Sequence, residues 1–558
     1  MEYKTTDVLV IGSGAAGLSA AVYAAQKEAD VLVLDKGAFG KSGSTVGAVQ
    51  IAGIGSWSVP EDSAEAYEKD IFKSGRGLSE PALIKALTAD IEKRLQDVLE
   101  WGLKLDQNEE KEVAVSLTSG HTIPRSISAK KGKSGLGLLQ VLTKAARKKE
   151  SITSWSDVIT LELLQINGRV CGAVVYDLRE NKPYIIRSKA VILAAGGIGQ
   201  LYSMTSNPVQ ATGDGFSLGL GAGAALIDME QLQFYPVSLM KPDSLAGLCM
   251  SFYHLGKLYN DKGERFMEAY EPETLEDTTR DKLAIAIGKE IAAGRGTTNR
   301  SVWLDASDQL EAIQFYFSHE YKLCVDRGVN LAADRAEVGP AAHFIMGGIR
   351  INSDAASEVP GLYAAGETSG GLHGGNRLGN NALSECLVFG ARAGETAADF
   401  SKEAKLEEER VLPETVEHLL AKLSEPSEGN LRPLHIKNKI RTVMDSYLNV
   451  IRTTEDLTQA KKELEEIAAD FANVSVTNPH NSYSREVLDY IEAFHMIRTA
   501  RAIAEAAQTR KESRGAHYRS DFPVQNPEAC HTIVSFNYGV LQRTSGRVKG
   551  EEMPWKSK

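Results

Sequence analysis

The sequence has few cysteines, and their spacing is not that of a metal site. The five lie at positions 171, 249, 324, 386 and 530, with no C-x-x-C pair. This spacing excludes a zinc ribbon or a conventional iron–sulfur motif within the chain, and we predict no metal site. Scattered cysteines of this kind are typical of an intracellular, reduced protein.

Long apolar runs and an excess of positive charge are also missing. No run of about 18 apolar residues occurs, so we expect no membrane span. The net charge is −11, from 63 Lys and Arg against 74 Asp and Glu. This balance argues against a nucleic-acid partner, because phosphate binding requires a basic patch. Only a short polar lead, Met1 to Thr6, precedes the first apolar run, so we expect no signal peptide.

The first 35 residues have the pattern of a dinucleotide-binding unit. An apolar run leads into GSGAAG at positions 12–17, and a second apolar run ends at Asp35, 23 positions after Gly12. In such a unit Gly12 makes the tight turn, Gly14 lets a pyrophosphate approach, and Gly17 lets the helix and strand pack. The helix N-terminus binds the anion. An acid at position 35 favours a free 2′-hydroxyl, as in FAD or NAD.

A second glycine-rich stretch, GLYAAGETSGGLHGGNRLGNNALSECLVFG, occupies positions 361–390. An apolar strand runs into Glu367, which is placed to accept hydrogen bonds from cofactor hydroxyls. Arg377 offers a rigid fork suited to a carboxylate, and a helix is predicted to begin near Asn380. An ordinary strand-to-helix turn also fits this stretch by itself. The presence of the N-terminal dinucleotide-binding pattern favours the interpretation of this stretch as part of a cofactor site.

The periodicity of the chain predicts an α/β protein of several domains. Strands and helices alternate at the start, which indicates a doubly wound sheet. The pattern is mixed between about Gln233 and Pro340, where we expect an inserted α+β domain, and the sheet domain resumes near His343. After Ser401, apolar residues at helical spacing predict a helical bundle. Residues 513–558 show one short strand, Thr532 to Phe536.

Seven motifs then occur in the order found in a known family: GSGAAG, AAGG, TGDG, HFIMGG, AAGE, LHGGNRLGNNAL and ESRGAHYRSDFP. The chain resembles the succinate dehydrogenase/fumarate reductase flavoprotein family, which includes L-aspartate oxidase. The resemblance implies a Rossmann-like FAD-binding domain (1–232 and 343–400) with an inserted α+β capping domain (233–342). A C-terminal helical domain (401–512) and an extension (513–558) would follow.

The resemblance also implies which residues hold FAD. They are Gly12, Gly14, Ala15, Gly17, Asp35, Lys36, Ser44, Thr45, Asp214 and Glu367, with Ala382 and Leu383 near the ring. Many members of the family attach FAD covalently through a His in an S-H-T-like run. Here the run is Gly43-Ser44-Thr45, so noncovalent FAD is expected.

Three substrate-site residues of the family are matched by Arg280, His343 and Arg377. The resemblance makes Arg280 the proton-transfer group, and it makes His343 and Arg377 the groups that hold a substrate carboxylate. Positive groups there would stabilise charge that grows on the carboxylate during hydride transfer. Arginine is a poor acid, since its pKa is above about 12. A plain ion pair at a helix start is therefore the alternative for Arg280.

The chain departs from the family at the other end of the site. Tyr235 replaces a His that binds the far carboxylate of fumarate, and the alignment places Leu248 where a hydroxyl is usual. Phe252 and His254 replace an Arg and a Glu of the proton relay. Tyr235 could stack or donate one hydrogen bond, and His254 could replace the relay acid or be an ordinary solvated or core His. An unpaired carboxylate would be costly in such a place, so fumarate is not the expected substrate.

The leading hypothesis is an FAD-dependent oxidoreductase acting on a CH–CH or C=C bond beside a carboxylate. The alternatives are a fumarate reductase, succinate dehydrogenase or L-aspartate oxidase, or a non-catalytic electron-transfer flavoprotein subunit. The expected partners are a small carboxylate and an iron–sulfur or other electron-transfer subunit. We expect the protein in the cytoplasm, or bound to the surface of the inner membrane through such a partner subunit.

Overall fold

The computed structural model of the chain describes residues 1–407, 412–537 and 540–547. The first 231 residues supply most strands of the main sheet, a small three-stranded sheet and one strand of a third sheet, with helices between them. In chain order the elements are β1 Glu2–Ile11, α1 Ala15–Gln26, β2 Val31–Asp35, β3 Gln50–Ala52, α2 Ala64–Ser74, α3 Pro81–Glu100, β4 Val115–Ser116, β5 Ser126–Ser128, α4 Ser134–Arg147, β6 Ile152–Ser156, β7 Val158–Ile166, β8 Arg169–Asp177, β9 Lys182–Leu193, α5 Asp214–Gly221 and β10 Leu226–Ile227.

A second segment, which we call the cap, forms its own antiparallel sheet. Its elements are β11 Leu232–Leu239, β12 Lys257–Tyr259, α6 Met267–Tyr270, α7 Arg280–Ala292, β13 Val302–Asp305, α8 Leu310–Tyr316, α9 Ser318–Asp326 and β14 Ala336–Ile345. The strand order is β11-β14-β13-β12. The predicted division at 342/343 falls inside β14. The domain limits therefore stay predictions, although the inserted α+β segment lies where the mixed sequence pattern places it.

The chain then returns to the first sheet, continues through long helices and, in its described part, finishes with paired strands. The remaining elements are β15 Gly348–Arg350, β16 Leu362–Ala364, β17 Ser369–Gly370, α10 Asn381–Glu403, α11 Glu414–Ser424, α12 Pro433–Tyr447, β18 Ile451–Arg452, α13 Thr454–Phe471, α14 Arg485–Thr509, β19 Tyr518–Arg519, β20 Cys530–Asn537 and β21 Val540–Arg547.

The main sheet has the order β6-β2-β1-β9-β8-β7, and β16 also pairs with β9. Strands β6, β2, β1, β9 and β16 run parallel. Their apolar runs are buried on both faces. Helices α1, α4 and α10 cover one face, and β7, β8, α5 and the C-terminal helices cover the other. Helices α1 and α10 pack closely through small residues: a Cβ on Gly394 would lie 2.2 Å from the Ala20 carbonyl oxygen. The doubly wound α/β prediction is confirmed.

The predicted helical faces are buried. Leu457, Leu464 and Ile467 of α13, and Val487 and Ile491 of α14, lie in the same hydrophobic core as the main sheet. The prediction of a single strand after residue 513 was wrong. Strand β21 pairs with β20 over eight residue pairs, and the sequence pattern missed it because its residues Gln542 to Ser545 are polar.

The chain end joins the first part of the molecule through buried charges. Strand β20 pairs with β10, and His531 lies between two carboxylates, with Nδ1 2.5 Å from Asp228 and Nε2 3.0 Å from Glu80. Arg510 binds Asp228 and Glu230 from the other side. Burial lowers the pKa of His531, but the charge and hydrogen bonding of Asp228, with Glu80, raise it to about 10.

Membrane spans and metal clusters are both absent from the described part of the chain. None of its helices is both long and apolar enough to cross a bilayer. Nor do the described residues bring three metal-binding side chains together.

We expect His531→Ala to destabilise the fold by about 3 kcal/mol near pH 6, since it removes the buried cation between Asp228 and Glu80 and leaves Arg510 as the remaining cation beside Asp228. The pKa of His531 is higher in the folded state than the value of about 6.5 expected when unfolded. Its contribution is therefore complete below pH about 6.5 and is lost as pH rises towards 10. Urea denaturation followed by circular dichroism measures this. The exposed His418→Ala is the control, and an equal effect of both changes would contradict the prediction.

Candidate functional site

A cavity of about 1840 Å³ lies between the main sheet and the cap. It opens where the parallel strands β1, β2, β9 and β16 end, which is where ligands bind in open α/β sheets. Pockets for one small ligand measure about 300–1,000 Å³, so this cavity has room for a dinucleotide and a substrate. It is lined by all of the predicted site residues except Gly17: Gly12, Gly14, Ala15, Asp35, Lys36, Ser44, Thr45, Asp214, Tyr235, His254, Arg280, His343, Glu367, Arg377, Ala382 and Leu383.

The three glycines of the first turn differ in their surroundings. Gly12 has φ +108°, and a Cβ there would lie 2.2 Å from the Ala194 carbonyl oxygen. A Cβ on Gly17 would lie 1.9 Å from the Gly12 carbonyl oxygen, so Gly17 serves packing below the turn. A Cβ on Gly14 would have only the Thr45 hydroxyl nearby, at 3.5 Å. Gly14 thus leaves space for a phosphate at the start of α1.

Asp35 ends β2 and organises the loops around the first turn. Its Oδ2 accepts hydrogen bonds from the backbone N–H and hydroxyl of Ser13. Its Oδ1 accepts from the Gly37 N–H at 2.7 Å and the Ser42 hydroxyl at 2.8 Å. The side chain is buried at the cavity wall. It therefore orders three loop segments as well as lying where a ribose hydroxyl is expected.

Lys36 and Asp214 form an ion pair at the cavity wall. Lys36 Nζ lies 2.7 Å from Asp214 and 3.0 Å from Glu492 of α14. Glu492 also binds the buried Lys437 at 2.6 Å. Burial on its own raises the pKa of Asp214, but the charge of Lys36 holds it below its usual value. The cluster joins the cavity wall to the C-terminal helices.

Two further groups flank the start of the helices that face the cavity. The Thr45 hydroxyl accepts a hydrogen bond from the Ala15 N–H at 3.1 Å, so the 3₁₀ turn Ser44–Gly47 is held against α1. Ala382 and Leu383 belong to the first turn of α10. Because position 44 is Ser, the side chain there cannot form a histidyl link to flavin. The noncovalent attachment stays a prediction.

Glu367 lies in the middle of the cavity wall, next to Gly197. Its Oε1 accepts a hydrogen bond from the Ile345 N–H at 3.1 Å. Burial raises the pKa of Glu367 to about 8, against the opposing effects of that hydrogen bond and of Arg377. A carboxyl that is partly protonated near neutral pH can accept from, or donate to, a cofactor hydroxyl.

Arg377 is a buried guanidinium without a carboxylate beside it in the described part of the chain. Its Nη2 donates to Gln233 Oε1 at 3.1 Å, and its Cζ lies 4.4 Å from the centre of the Phe344 ring. Its Nε has no hydrogen-bond partner there. Burial lowers the pKa of Arg377 to about 9, and the charge of Arg280 adds to this effect. Such a group is suited to an incoming anion.

His343, Tyr235 and Arg280 lie together on the cap side of the cavity. His343 Nδ1 is 2.7 Å from the Ser206 hydroxyl, and its ring centre is 5.3 Å from that of Tyr235. The Arg280 Cζ is 4.9 Å from the Tyr235 ring centre. Arg280 is the first residue of α7, and the neighbouring Asp281 pairs with Arg76 instead. Burial, Arg377 and Arg280 together hold the pKa of His343 well below its usual value.

The alignment at the far end of the cavity was wrong for two residues. Leu248 packs against the apolar core of the cap, and Phe252 is fully buried in that core against Phe317. His254 is exposed and lines the cavity, but no contact with Arg280 is seen among the described residues. The relay role of His254 stays a prediction.

The cavity residues that sequence reasoning missed at this end include Cys249, Ser251 and Glu320. Burial raises the pKa of Cys249 to about 11, so its thiol is neutral near pH 7. Glu320 belongs to α9, and its Oε2 accepts a hydrogen bond from the Ser251 N–H at 2.9 Å. No motif marks α9, and only the folding of the cap brings it to the cavity.

Comparison with protein families assigns both parts of the chain. A family described as FAD binding domain matches residues 7–383. A family described as Fumarate reductase flavoprotein C-term matches residues 437–553. The first match covers more than half of the chain, and the second covers α12 to β21. The open space at Gly14, the acid at Asp35 and the length of the cavity fit FAD, which is the cofactor of this chain.

Individual proteins agree with this assignment. The chain is 34% identical to a fumarate reductase (CoM/CoB) subunit of Methanothermobacter marburgensis, over 96% of this chain and 97% of that one. It is 32% identical to an L-aspartate oxidase of Caulobacter vibrioides, over 95% and 96% of the two chains. The solved structure of Mycobacterium smegmatis Sdh1 in complex with UQ1 superposes with a TM-score of 0.91 at 30% identity, over 99% and 96%.

We expect Asp35→Ala to weaken FAD retention, because the ribose loses an acceptor and the loops around Ser13 and Ser42 lose theirs. The loss of such charge-assisted hydrogen bonds corresponds to about 10- to 100-fold in affinity. Flavin absorbance per protein after gel filtration measures retention. Asp30→Ala, an exposed acid before the same strand, is the control. If the Asp35 variant retains as much flavin as this control, Asp35 does not contribute to the cofactor site.

Proposed function

We propose, from the premise that this chain belongs to the fumarate reductase/succinate dehydrogenase flavoprotein family, that its substrate is an acid anchored by one carboxylate beside the reacting bond. Family membership makes the chain an FAD-dependent oxidoreductase acting on CH–CH groups. This favours an enzyme over a flavoprotein subunit with no substrate of its own. The identity of the acid is the part that we propose.

The proposal rests on the surroundings of the buried Arg377 guanidinium. A buried charge normally has a partner of opposite sign, yet no carboxylate of the described chain pairs with this guanidinium. Its planar fork matches a carboxylate with two parallel hydrogen bonds. A substrate carboxylate would supply the missing charge and would raise the lowered pKa of Arg377 towards its usual value.

The residues around this carboxylate have distinct tasks in the proposed mechanism. Bound FAD accepts or supplies the hydride. His343 is held neutral, and if the Ser206 hydroxyl donates to its Nδ1, its Nε2–H is free to donate to the carboxylate. Arg377 and His343 then stabilise the negative charge that develops on the carboxylate during the reaction. Arg280, at the start of α7, is the candidate for moving the proton at the adjacent carbon.

Tyr235 is the proposed specificity residue. It is buried, it lies between His343 and Arg280, and burial raises its pKa well above the usual value. A neutral phenol can donate one hydrogen bond or stack on a ring, whereas a second carboxylate requires a charged partner. We therefore propose that fumarate is not the preferred substrate. The alternative is a dicarboxylate whose second carboxylate is bound by Arg280.

We also propose that electrons are exchanged with a separate electron-transfer protein, such as an iron–sulfur protein, in the cytoplasm or at the inner membrane. Similar proteins support this: several are named as subunits of fumarate reductases, and a similar solved structure is a complex with UQ1. Purification of the chain from its native source, with identification of what remains bound, tests this part.

We expect Arg377→Ala to weaken acid binding by about 10- to 1000-fold, since a charge-assisted fork is lost. Arg377→Lys should restore part of the affinity because it keeps the charge. Arg280→Ala should keep the affinity and lower turnover by about 100-fold or more. Crotonate and fumarate titrations followed by flavin absorbance give the affinities, and a reduced viologen assay gives the rates. Arg335→Ala, at the cap surface, is the control. Unchanged binding in Arg377→Ala would refute the proposed anchor.

We expect Tyr235→His to shift the preference towards fumarate by about tenfold or more, because an imidazole N–H can donate to a second carboxylate and, unlike a phenol, can take up a proton when that carboxylate binds beside it. Leu248→Thr is the matched control, since Leu248 packs in the cap core and should leave the preference unchanged. The ratio of kcat/KM for fumarate and crotonate measures the shift. A wild-type enzyme that already prefers fumarate strongly would favour the dicarboxylate alternative.

A further inference from the structure

One wall of the cavity carries an acid that the proposed reaction does not use. Glu320 lies in the first turn of α9 and lines the cavity, and the Ser251 N–H donates to its Oε2 at 2.9 Å. The side chain is half-buried. The hydrogen bond fixes one oxygen to the backbone at Ser251, so the carboxylate has a defined place in the wall.

Glu320 has no cationic partner in the described part of the chain. Besides Glu320 and His343, the acidic, basic and imidazole side chains with which the cap lines the cavity are Asp277, His254, His319 and Arg280. In the described part of the chain, no salt bridge within 4.0 Å joins Glu320 to His254, His319 or Arg280. Burial raises the pKa of Glu320, and only hydrogen bonding to Ser251 opposes this effect. An acid in this state is suited to an external donor.

Side-chain contacts give the order of these groups along the cap side of the cavity. The ring centre of Tyr235 lies 5.3 Å from that of His343 and 6.1 Å from that of Tyr253. Tyr253 is two residues after Ser251, whose N–H donates to Glu320 at 2.9 Å. The contacts thus lead from the carboxylate anchor at His343, through Tyr235, to Glu320.

We propose that Glu320 binds a hydrogen-bond-donating or cationic group at the end of the substrate opposite to the anchored carboxylate. The preferred substrate class is then an unsaturated or saturated acid with an ammonium or similar donor at its far end. This rests on the proposed function, in which Arg377 and His343 hold the carboxylate. An ammonium at one end of the substrate would face Glu320, and the carboxylate at its other end would face Arg377, so the charges are complementary.

The same arrangement disfavours a second carboxylate. A dicarboxylate anchored at Arg377 would direct its other charge towards Tyr235 and Glu320. Two carboxylates that share a site repel each other unless one takes up a proton. Glu320 thus gives a physical reason for the exclusion of fumarate that does not depend on Leu248 or Phe252.

A purely structural role for Glu320 is the competing explanation. An acid in the first turn of a helix interacts favourably with the helix dipole, and the bond to Ser251 joins α9 to the loop before it. That role predicts an effect of Glu320→Gln on stability alone. It predicts no change in the order of affinities among acids that differ only at the far end.

The test is a series of three acids that share a C=C bond beside a carboxylate. Crotonate has a neutral far end, fumarate a negative one and trans-4-aminocrotonate a positive one. Dissociation constants are measured on the FAD-loaded enzyme from the change in flavin absorbance. We expect 4-aminocrotonate to bind about 10- to 100-fold more tightly than crotonate, and fumarate to bind more weakly than crotonate.

The variants separate the possible outcomes. Glu320→Gln should remove the advantage of 4-aminocrotonate and improve fumarate binding. Glu311→Gln, an exposed acid of α8, should change neither. If the three acids bind but keep their order in Glu320→Gln, the proposal for Glu320 is overturned and the helix role remains. If Arg377→Ala leaves the dissociation constants of all three acids unchanged, the proposed function fails instead.

Discussion

The parallel register of four strands is the constraint on which the site depends. Ile11 of β1 pairs with Leu34 of β2 and with Leu193 of β9, and Leu193 pairs with Ala364 of β16. All four strands therefore end in one row. The chain leaves each strand at the same edge, which brings the first glycine turn, Asp35, Ala194 and Glu367 to one wall. A shift of one residue in any pair would turn its side chains to the other face.

The cap adds charged and titratable side chains of both signs to the cavity. Arg280 comes from the start of α7 and Glu320 from α9, while His343 comes from the strand that leads back to the main sheet. Burial strengthens the electrostatic interactions of these groups, because a low-dielectric cavity screens them weakly. It lowers the pKa of Arg377 and of His343 and raises that of Glu367. The cavity thus carries groups of both signs on both sides, with Arg377 and Glu367 outside the cap and Arg280 and Glu320 on it.

Much of the fold and the cofactor site could be predicted from local pattern. The spacing from Gly12 to Asp35 and the stretch from 361 to 390 identify the wall, because close backbone approach demands glycine and a ribose demands an acceptor. Lys36 and Asp214 are predicted as FAD-binding residues, and only the structure shows that they form an ion pair with each other. The far end of the substrate site could not be aligned reliably. Leu248 and Phe252 face the cap core, whereas Cys249 and Ser251 face the cavity, because the turns of that loop decide which side each residue presents.

The sequence by itself determined the α/β class, the dinucleotide turn, the family and the presence of Arg280, His343 and Arg377. Each of these depends on residue types at short spacing, or on motifs in a fixed order. Tertiary structure alone decided that Arg377 has no carboxylate beside it in the described chain, and that Glu320 lines the same cavity. Residues 320 and 377 lie on different domains, and their relation depends on how the cap packs. The pairing of β20 with β10 and the buried charges around His531 are likewise seen only in the tertiary structure, because the paired segments are far apart in the sequence.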